Sequence, residues 1–317
     1  MTGRQLNDRA LRFVESKLTG SELLDELCAF VEGGGRVIDC GVAGEGGVEA
    51  GLFLARLTLC DLAEVSIEPG NHPDLPFDRV CVKTAEPVAA CMASQYAGWQ
   101  ISIGDFFAMG SGPMRAAYGG EELFKDIGYV EQATRIVGAL ETRQRPAAGV
   151  FDFIASKTNV EPGDITLAVA PTASTAGGIQ VVARSVETAL HKLHELGFDL
   201  ARVRTGSGSA PMPPTAADDL AAIGRTNDAV LYGARVELEV TGDDASLEEL
   251  GAKTPSCASE DHGTLFREIF ERYDRDFYRI DPGLFSPAEV TFRNLDTGSE
   301  FTFGNLEPGL VRRSFLE

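Results

Sequence analysis

The sequence predicts an α/β fold with mixed sheets, arranged in two domains. Two patterns indicate this class: an apolar strand, a Gly-Gly pair, an amphipathic helix and a second strand follow one another over residues 36–67 and again over 164–205. The 317 residues, 44% of them hydrophobic, are enough for two ordinary cores. We place an N-terminal α/β domain at residues 1–145 and a C-terminal α/β domain at 146–317, with discontinuous domains as the alternative.

In the first half, apolar residues in helical period predict a helix over residues 4–32. The stretch "GGGRVIDCGV" (33–42) predicts a buried strand after a glycine break, "GEGGVEAGLFLARLTL" a loop and a helix, and "AEVSI" the strand that completes a β-α-β unit. After a loop at 70–80, "WQISIGD" predicts a buried strand that runs into the loop "FFAMGSGPMRA". "YVEQATRIVGALET" favours a strand, with a helix as the alternative, and "FDFIASKT" favours a helix.

In the second half, "DITLAVAPTAST" (164–175) predicts a strand that runs into a loop. A long helix at 176–196 and a strand at 198–205 then complete a second β-α-β unit. Further along, we expect helices at 215–228 and 259–272 and a strand in "YGARVELEV". "AEVTFRNLDTGSEFTFGNL" predicts a β-hairpin with Asp296, Thr297 and Gly298 near its turn.

Composition and charge narrow the classes of function. The net charge of −20 argues against duplex nucleic acid and anionic membranes as partners, and favours solubility or a weak attraction for a cationic substrate. No apolar run is long enough to span a bilayer, and the polar N-terminus lacks the apolar core of a signal peptide, so we expect a cytoplasmic protein.

The six cysteines form no CxxC and are expected to be buried free thiols. The four histidines have no partners at a metal-binding spacing, so no metal site is expected.

Three loops rich in small residues are predicted after apolar strands: "GSGP" (110–113), "PTASTAGG" (171–178) and "TGSGSAPMPP" (205–214). Glycine lets the backbone approach a ligand, Ser and Thr supply hydrogen-bond donors, and ligands of open α/β sheets bind at the carboxyl ends of strands. None of the loops matches a nucleotide phosphate motif. The alternative is that they are tight turns and helix caps, with Ser174 or Thr175 as an N-cap.

The predicted helix 176–196 carries an Arg-x-x-Glu pair. At 100° per residue, Gln180, Arg184, Glu187 and His191 form a narrow stripe opposite the apolar face. We therefore expect Arg184 and Glu187 to project together away from the core, where substitution should leave the fold intact. An arginine beside a glutamate can hold the carboxylate ionised and oriented to take a proton from water. The alternative is a solvated ion pair that contributes well under ~1 kcal/mol.

Six stretches together strongly resemble the methenyltetrahydromethanopterin cyclohydrolase family. They are "VIDCGV", "SIGDFFAMGSGP", "APTASTAGGIQVVARSVETALHKLHELGFD", "SGSAPMPP", "DDLAAIGRTNDAVLYGARV" and "LFSPAEVTFRNL", in order from about residue 36 to residue 303. The resemblance implies an α/β protein with a pterin cleft between two domains, and a homo-oligomer, since a trimer is known in the family.

The resemblance also implies an activity: reversible hydrolysis of the N5,N10-methenyl-tetrahydromethanopterin cation to the N5-formyl pterin, without a metal or redox cofactor. The family works in the one-carbon metabolism of methanogenic and related archaea and of methylotrophic bacteria. Its catalytic Arg and Glu lie in an Arg-x-x-Glu segment after the Thr/Ser loop, which carries these roles onto Arg184 and Glu187 in "RSVE". Glu187 would take a proton from the attacking water and return it to the leaving N10, while Arg184 keeps the carboxylate charged and aimed.

The predicted site extends beyond this pair. The predicted substrate-binding residues are Asp105, Gly110, Ser111, Thr172, Ser174, Gly178, Gln180 and Ser207. Asp105 is also the second candidate for the base. Two other functions stay open at this point: a hydrolase or transferase of a phosphorylated small molecule, in which Arg184 clamps the phosphate, and a non-catalytic pterin-binding protein, in which Arg184 and Glu187 only form an ion pair.

Overall fold

A computed structural model of the chain describes residues 5–19, 26–44, 46–70 and 72–317. The chain divides into two compact units: unit 1 comprises residues 1–63 and 89–180, and unit 2 comprises residues 64–88 and 181–317. Two six-stranded mixed sheets and their helices confirm the predicted α/β class. The predicted border between residues 145 and 146 falls within unit 1.

The strands and helices of the described residues are numbered along the chain. The strands are β1 (Cys28–Glu32), β2 (Gly35–Asp39), β3 (Ala63–Glu68), β4 (Arg79–Thr84), β5 (Trp99–Ile103), β6 (Phe106–Ser111), β7 (Ile136–Glu141), β8 (Ile165–Ala170), β9 (Val203–Pro211), β10 (Arg235–Val240), β11 (Glu289–Asn294) and β12 (Glu300–Gly304). The α-helices are α1 (Leu6–Leu18), α2 (Val48–Thr58), α3 (Met114–Tyr118), α4 (Leu123–Ile127), α5 (Ala148–Thr158), α6 (Thr175–Val182), α7 (Ser185–Glu195), α8 (Asp219–Gly233), α9 (Asp244–Gly251), α10 (Phe266–Arg272) and α11 (Pro308–Leu316). A π-helix occupies Val88–Gln95.

The sheet of unit 1 has the strand order β1-β2-β8-β7-β6-β5. β2, β8 and β7 are parallel neighbours, and β7, α5 and β8 form a β-α-β unit. Every residue of β8 is buried because both faces of the strand are covered. Leu167 and Val169 pack in the cluster that contains residues of α5, whereas Ala168 and Ala170 pack in the opposite cluster, which contains residues of α2 and α6.

The sheet of unit 2 has the strand order β12-β11-β10-β9-β4-β3. β9 is antiparallel to both of its neighbours, and β10 and β11 are parallel. α7 and α8 pack on β9, and α10 and α11 pack on α8. A concavity of the sheet is lined by polar residues from five strands, among them Ser66, Lys83, Ser207, Glu237 and Thr291.

Two predictions in the first half are wrong. The helix expected over 4–32 ends at Leu18, and residues 28–32 form strand β1, whose hairpin to β2 turns at Gly33 and Gly34 with φ of +62° and +92°. Residues 4 and 20–25 of that prediction lie outside the described residues. The strand expected at "AEVSI" exists as β3, but β2 and β3 belong to different sheets and do not form a β-α-β unit. The second predicted unit fails for the same reason, because β8 and β9 also belong to different sheets.

Two stretches predicted to be loops, "FFAMGSGPMRA" and "TGSGSAPMPP", are mostly strand, and "GSGP" (110–113) is strand in its first two residues. "FFAMGSGPMRA" forms β6 and the start of α3, and "TGSGSAP" belongs to β9. The long helix 176–196 is interrupted, because α6 ends at Val182 and α7 begins at Ser185. The strand predictions at β5, β7, β8 and β10 and the hairpin of β11 and β12 are confirmed.

All six cysteines are free, but only part of the burial prediction is confirmed. Cys40, Cys60 and Cys91 are buried, while Cys28 and Cys257 are exposed. Burial raises the pKa of the Cys60 thiol to about 12, so this thiol is inert at neutral pH. The described residues contain no helix long and apolar enough to cross a membrane.

Candidate active site

Arg184 and Glu187 lie at the amino-terminal end of α7. Arg184 occupies the N-cap position, where its carbonyl oxygen accepts a hydrogen bond from the Thr188 N–H at 2.8 Å. Glu187 lies in the first turn of the helix, near the free N–H groups and the positive end of the helix dipole. This position favours the ionised form of the carboxylate.

Both side chains are buried, with exposed fractions of 8% for Arg184 and 4% for Glu187. The stripe was predicted on one helix opposite its apolar face, and this part of the prediction is wrong: the helix is interrupted between α6 and α7, so Gln180 lies on a different helix from Glu187 and His191. Side chains as buried as Arg184 and Glu187 do not fit the alternative of a solvated surface ion pair. A buried Arg and Glu need partners, and their substitution can affect folding as well as function.

Two glycines of β9 set the position of α7. A Cβ atom on Gly208 would lie 2.4 Å from the Ser185 Oγ and 3.0 Å from the Val186 Cγ2. A Cβ on Gly206 would lie 2.8 Å from the Val186 Cγ1. The alternating glycines of "TGSGSAP" thus let the first turn of α7, which carries Glu187, lie directly on the sheet.

The same alternation places Ser207 on the opposite face of β9, because successive strand residues point to opposite faces. Ser207 lines the polar concavity of unit 2 together with Lys83 and Glu237. Within unit 2, the predicted binding residue Ser207 and the predicted catalytic residue Glu187 therefore lie on different sides of the sheet.

In unit 1, Thr172 and Ser174 follow the carboxyl end of β8. The Ser174 hydroxyl accepts a hydrogen bond from the Gly177 N–H at 2.9 Å and donates one to the Pro171 carbonyl at 2.8 Å, which confirms it as the N-cap of α6. The Thr172 hydroxyl donates to the Glu141 Oε1 at the carboxyl end of β7. Gly178 and Gln180 lie further along, on α6 itself, and Gln180 is buried.

The remaining predicted residues of unit 1 lie on the hairpin of β5 and β6. Asp105 is exposed in its turn. Gly110 and Ser111 lie inside the sheet, opposite Leu140 and Ala139 of β7. A Cβ on Gly110 would lie 2.8 Å from the Met114 Cε and 2.9 Å from the Trp99 carbonyl oxygen, so close packing requires glycine here.

Asp39 and Glu141, at the carboxyl ends of β2 and β7, were missed from the sequence. Asp39 is fully buried and accepts hydrogen bonds from the N–H groups of Gly41, Val42 and Ala43 at 2.7–3.4 Å. Burial raises the pKa of Asp39, but these hydrogen bonds and the nearby Arg145 guanidinium outweigh it and leave that pKa below its usual value. The signal in the sequence was a carboxylate at the end of an apolar strand, as in "VIDCG" and "VGALE".

Within the described residues, no group of three or more His, Cys, Asp or Glu side chains has the arrangement of a metal site. In unit 2 the predicted pair Arg184 and Glu187 is buried. In unit 1 the carboxylates of Asp39 and Glu141 lie at the carboxyl edge of the sheet. Such groups can move protons and bind cationic or N–H-bearing ligands.

Comparison with known proteins identifies a family and several relatives of the chain. The sequence model described as "Cyclohydrolase (MCH)" matches residues 5–315. The chain is 48% identical to the methenyltetrahydromethanopterin cyclohydrolase of Rhodopirellula baltica, over 89% of this chain and 86% of that protein. It is 48% identical to the enzyme of that name from Xanthobacter autotrophicus, over 88% and 83% of the two chains, and 39% identical to that of the archaeon Methanococcoides burtonii, over 98% of each.

Proposed function

Because the chain belongs to the methenyltetrahydromethanopterin cyclohydrolase family, we propose that it catalyses the reversible hydrolysis of N5,N10-methenyl-tetrahydromethanopterin to N5-formyl-tetrahydromethanopterin. The observation that carries this proposal is the similarity to cyclohydrolases over nearly the whole chain, which extends across "RSVE" at the start of α7. The reaction belongs to one-carbon metabolism.

The methenyl carbon lies between two nitrogens and shares their positive charge, so it is already a strong electrophile. The reaction then needs an activated water and a route for protons. In our proposal, Glu187 accepts one proton from water as its oxygen bonds to the methenyl carbon. Glu187 returns that proton to N10 as the C–N10 bond breaks. The second proton of the water leaves to solvent, which balances the conversion of a cation to a neutral formyl product.

Arg184 has a supporting role in this mechanism. A guanidinium near a carboxylate favours the ionised form and fixes its orientation. The position of Glu187 in the first turn of α7 acts in the same direction. A buried carboxylate can therefore remain charged and take up the water's proton.

The principal test is Glu187→Gln, followed through the loss of near-ultraviolet absorbance of the methenyl substrate. The amide keeps the shape of the side chain but cannot accept the proton, so we expect kcat to fall about 10²–10⁴-fold. Arg184→Ala should lower kcat and move the acidic limb of the rate profile to higher pH. The double variant should be little worse than the worse single one, because the two residues act as a unit. Since Glu187 is buried, circular dichroism and a denaturant midpoint must show that each variant is folded. A folded Glu187→Gln enzyme with wild-type kcat would refute the assignment of Glu187 as the proton-transfer group. Asp105 would then be the next candidate for the base.

We further propose that no metal or redox cofactor takes part, because the substrate carbon needs no Lewis acid. Full activity should survive extensive dialysis against a chelator. Loss of activity that zinc restores would contradict this proposal.

The cellular setting is part of the proposal. We expect a cytoplasmic homo-oligomer, with a trimer as the first candidate, acting in a methanogenic or methylotrophic pathway. Light scattering coupled to size exclusion gives the oligomeric state. Turnover of archaeal and bacterial pterin variants would then define which tail the enzyme prefers.

A further inference from the structure

The carboxyl edge of the unit 1 sheet contains a topological switch point between β7 and β8. From β7 the chain continues into α5, which packs in the cluster with Leu167 and Val169. From β8 it continues into α6, which packs on the other face with Ala168 and Ala170. In open α/β sheets, adjacent strands whose connections leave to opposite faces create a crevice at their carboxyl ends, and ligands bind there.

Glu141 and Thr172 lie at this crevice. Glu141 is the last residue of β7 and pairs in register with Ala170, the last residue of β8, so its side chain and Thr172 lie at the same point of the edge. The Thr172 hydroxyl donates to the Glu141 Oε1 and fixes the carboxylate. Within the described residues, this hydroxyl is the one hydrogen-bond donor to Glu141, which is only partly buried.

Asp39, at the end of the next strand, shows what a structural carboxylate in this sheet looks like. It is fully buried and takes hydrogen bonds from three backbone N–H groups and from the Arg145 Nη2 at 3.4 Å. From the described residues Glu141 receives one donor, although its two oxygens can accept about four hydrogen bonds. The Glu141 carboxylate is therefore positioned by the protein but retains capacity for a ligand with N–H donors.

We propose that Glu141, oriented by Thr172, binds the pyrimidine edge of the substrate's pterin head. This proposal rests on the proposed function. A pterin presents a ring N3–H and an exocyclic 2-amino group side by side, and a carboxylate accepts such a pair through its two oxygens. The interaction is independent of the charge on the methenyl carbon, so the cationic substrate and the neutral formyl product use it equally.

The first experiment measures Glu141→Gln in both directions of the reaction, with Glu161→Gln as the matched control. Glu161 is exposed and lies before the amino end of β8, at the opposite edge of the same sheet. We expect Glu141→Gln to raise KM about 10–100-fold for both the methenyl and the formyl pterin, with kcat within about threefold of wild type. A rise for the methenyl cation alone would show a general charge effect, and a fall in kcat at constant KM would show a role in the chemistry; either result would overturn the proposal.

The second experiment measures binding without turnover, using the fluorescent probes 6,7-dimethylpterin and 6,7-dimethyllumazine. Lumazine carries a 2-oxo group in place of the 2-amino group and would set an oxygen against the carboxylate. The wild-type protein should bind the pterin at least about tenfold more tightly than the lumazine, and Glu141→Gln should remove most of that preference. Equal preference in wild type and variant would refute the inference even if the enzyme is an active cyclohydrolase. An inactive wild-type enzyme that still prefers the pterin would refute only the proposed function.

Thr172→Val provides a second variant in case Glu141→Gln does not fold. Removing the hydroxyl frees the carboxylate to rotate, so KM should rise in both directions by a smaller factor, about 3–10-fold. Thr172→Ser keeps a hydroxyl and should restore the wild-type KM and the pterin preference. If folded Thr172→Val keeps both values unchanged, Thr172 does not orient Glu141 for this purpose and the proposal fails.

Discussion

Substituting Gly208 by alanine should displace the first turn of α7 and lower kcat without unfolding the protein. The new Cβ would lie 2.4 Å from the Ser185 Oγ, 3.0 Å from the Val186 Cγ2 and 3.2 Å from the Ser185 Cβ. Rotation of the Ser185 side chain relieves the first contact, but the other two remain tight. The helix must therefore move by a few tenths of an ångström or more.

The size of the effect follows from these contacts. Overpacking of this kind costs about 1–3 kcal/mol of stability, which a denaturant midpoint would detect. Because a misplacement of about 1 Å can cost 10²-fold in rate, the smaller shift expected here should lower kcat about tenfold. KM should change less, because the substitution acts on the position of Glu187.

A compensating substitution makes the test specific. The Ser185 Oγ is buried and has no hydrogen-bond partner among the described residues, so Ser185→Ala alone should cost little. In the Gly208→Ala/Ser185→Ala double variant the closest contact is gone, and kcat should recover at least in part. Gly309→Ala is the control, because a Cβ there meets nothing within 4 Å. A Gly208→Ala enzyme with wild-type kcat and stability would show that α7 does not depend on glycine at this position.

Two further predictions concern the buried charges of each unit. Arg115 of unit 1 is fully buried, is bound by Glu121 at 2.6 and 2.9 Å and donates to the Met92 carbonyl at 3.0 Å, so Arg115→Met should lower the free energy of unfolding by about 3 kcal/mol in urea titration. Burial raises the pKa of Asp228 in unit 2 from 3.8 to about 7, so the folded state binds a proton that the unfolded state has already lost at intermediate pH. The free energy of unfolding therefore keeps its full Asp228 contribution below pH 4 and loses it as the pH rises through 7. Asp228→Asn should therefore flatten the decline of the urea midpoint between pH 5 and pH 8, and an unchanged slope would contradict this.

Apolar strands and amphipathic helices were predictable from the sequence because burial imposes their periodicity. β7, β8 and β10 were found in this way, and so was the hairpin of β11 and β12. β6 was read as a loop because "FFAMGSG" contains small residues, and the structure gives their cause: Met114 and the backbone of Trp99 pack against Gly110. Such contacts join residues that are distant in sequence or on other elements, so a local pattern cannot show them.

The candidate site was predicted in part. The Arg-x-x-Glu segment was found from the sequence, but its burial was not, because "QVVARSVE" contains no Pro or Gly to mark the break at residues 183–184. Glu141 was missed because its partner Thr172 lies 31 residues away along the chain. The parallel pairing of β7 and β8 brings the two residues together, and only the strand order reveals that pairing.

The carboxylates of the chain differ in how many donors the protein supplies, and this number indicates their roles. Asp39 accepts hydrogen bonds from three backbone N–H groups and an arginine, so most of its acceptor capacity is used within the protein, which indicates a structural role. Among the described residues, Asp228 accepts hydrogen bonds from the Phe266 N–H and the Ser314 hydroxyl alone, and its burial raises its pKa to about 7. In the part of the chain that the structure describes, Glu141 has a single donor and lies at the sheet edge where we propose that the pterin binds, so its remaining acceptor capacity is available to a substrate. A ligand that supplies N–H donors would form the remaining hydrogen bonds to the Glu141 carboxylate, as the backbone N–H groups do for Asp39. This is the physical reason to expect recognition of the pterin head at Glu141.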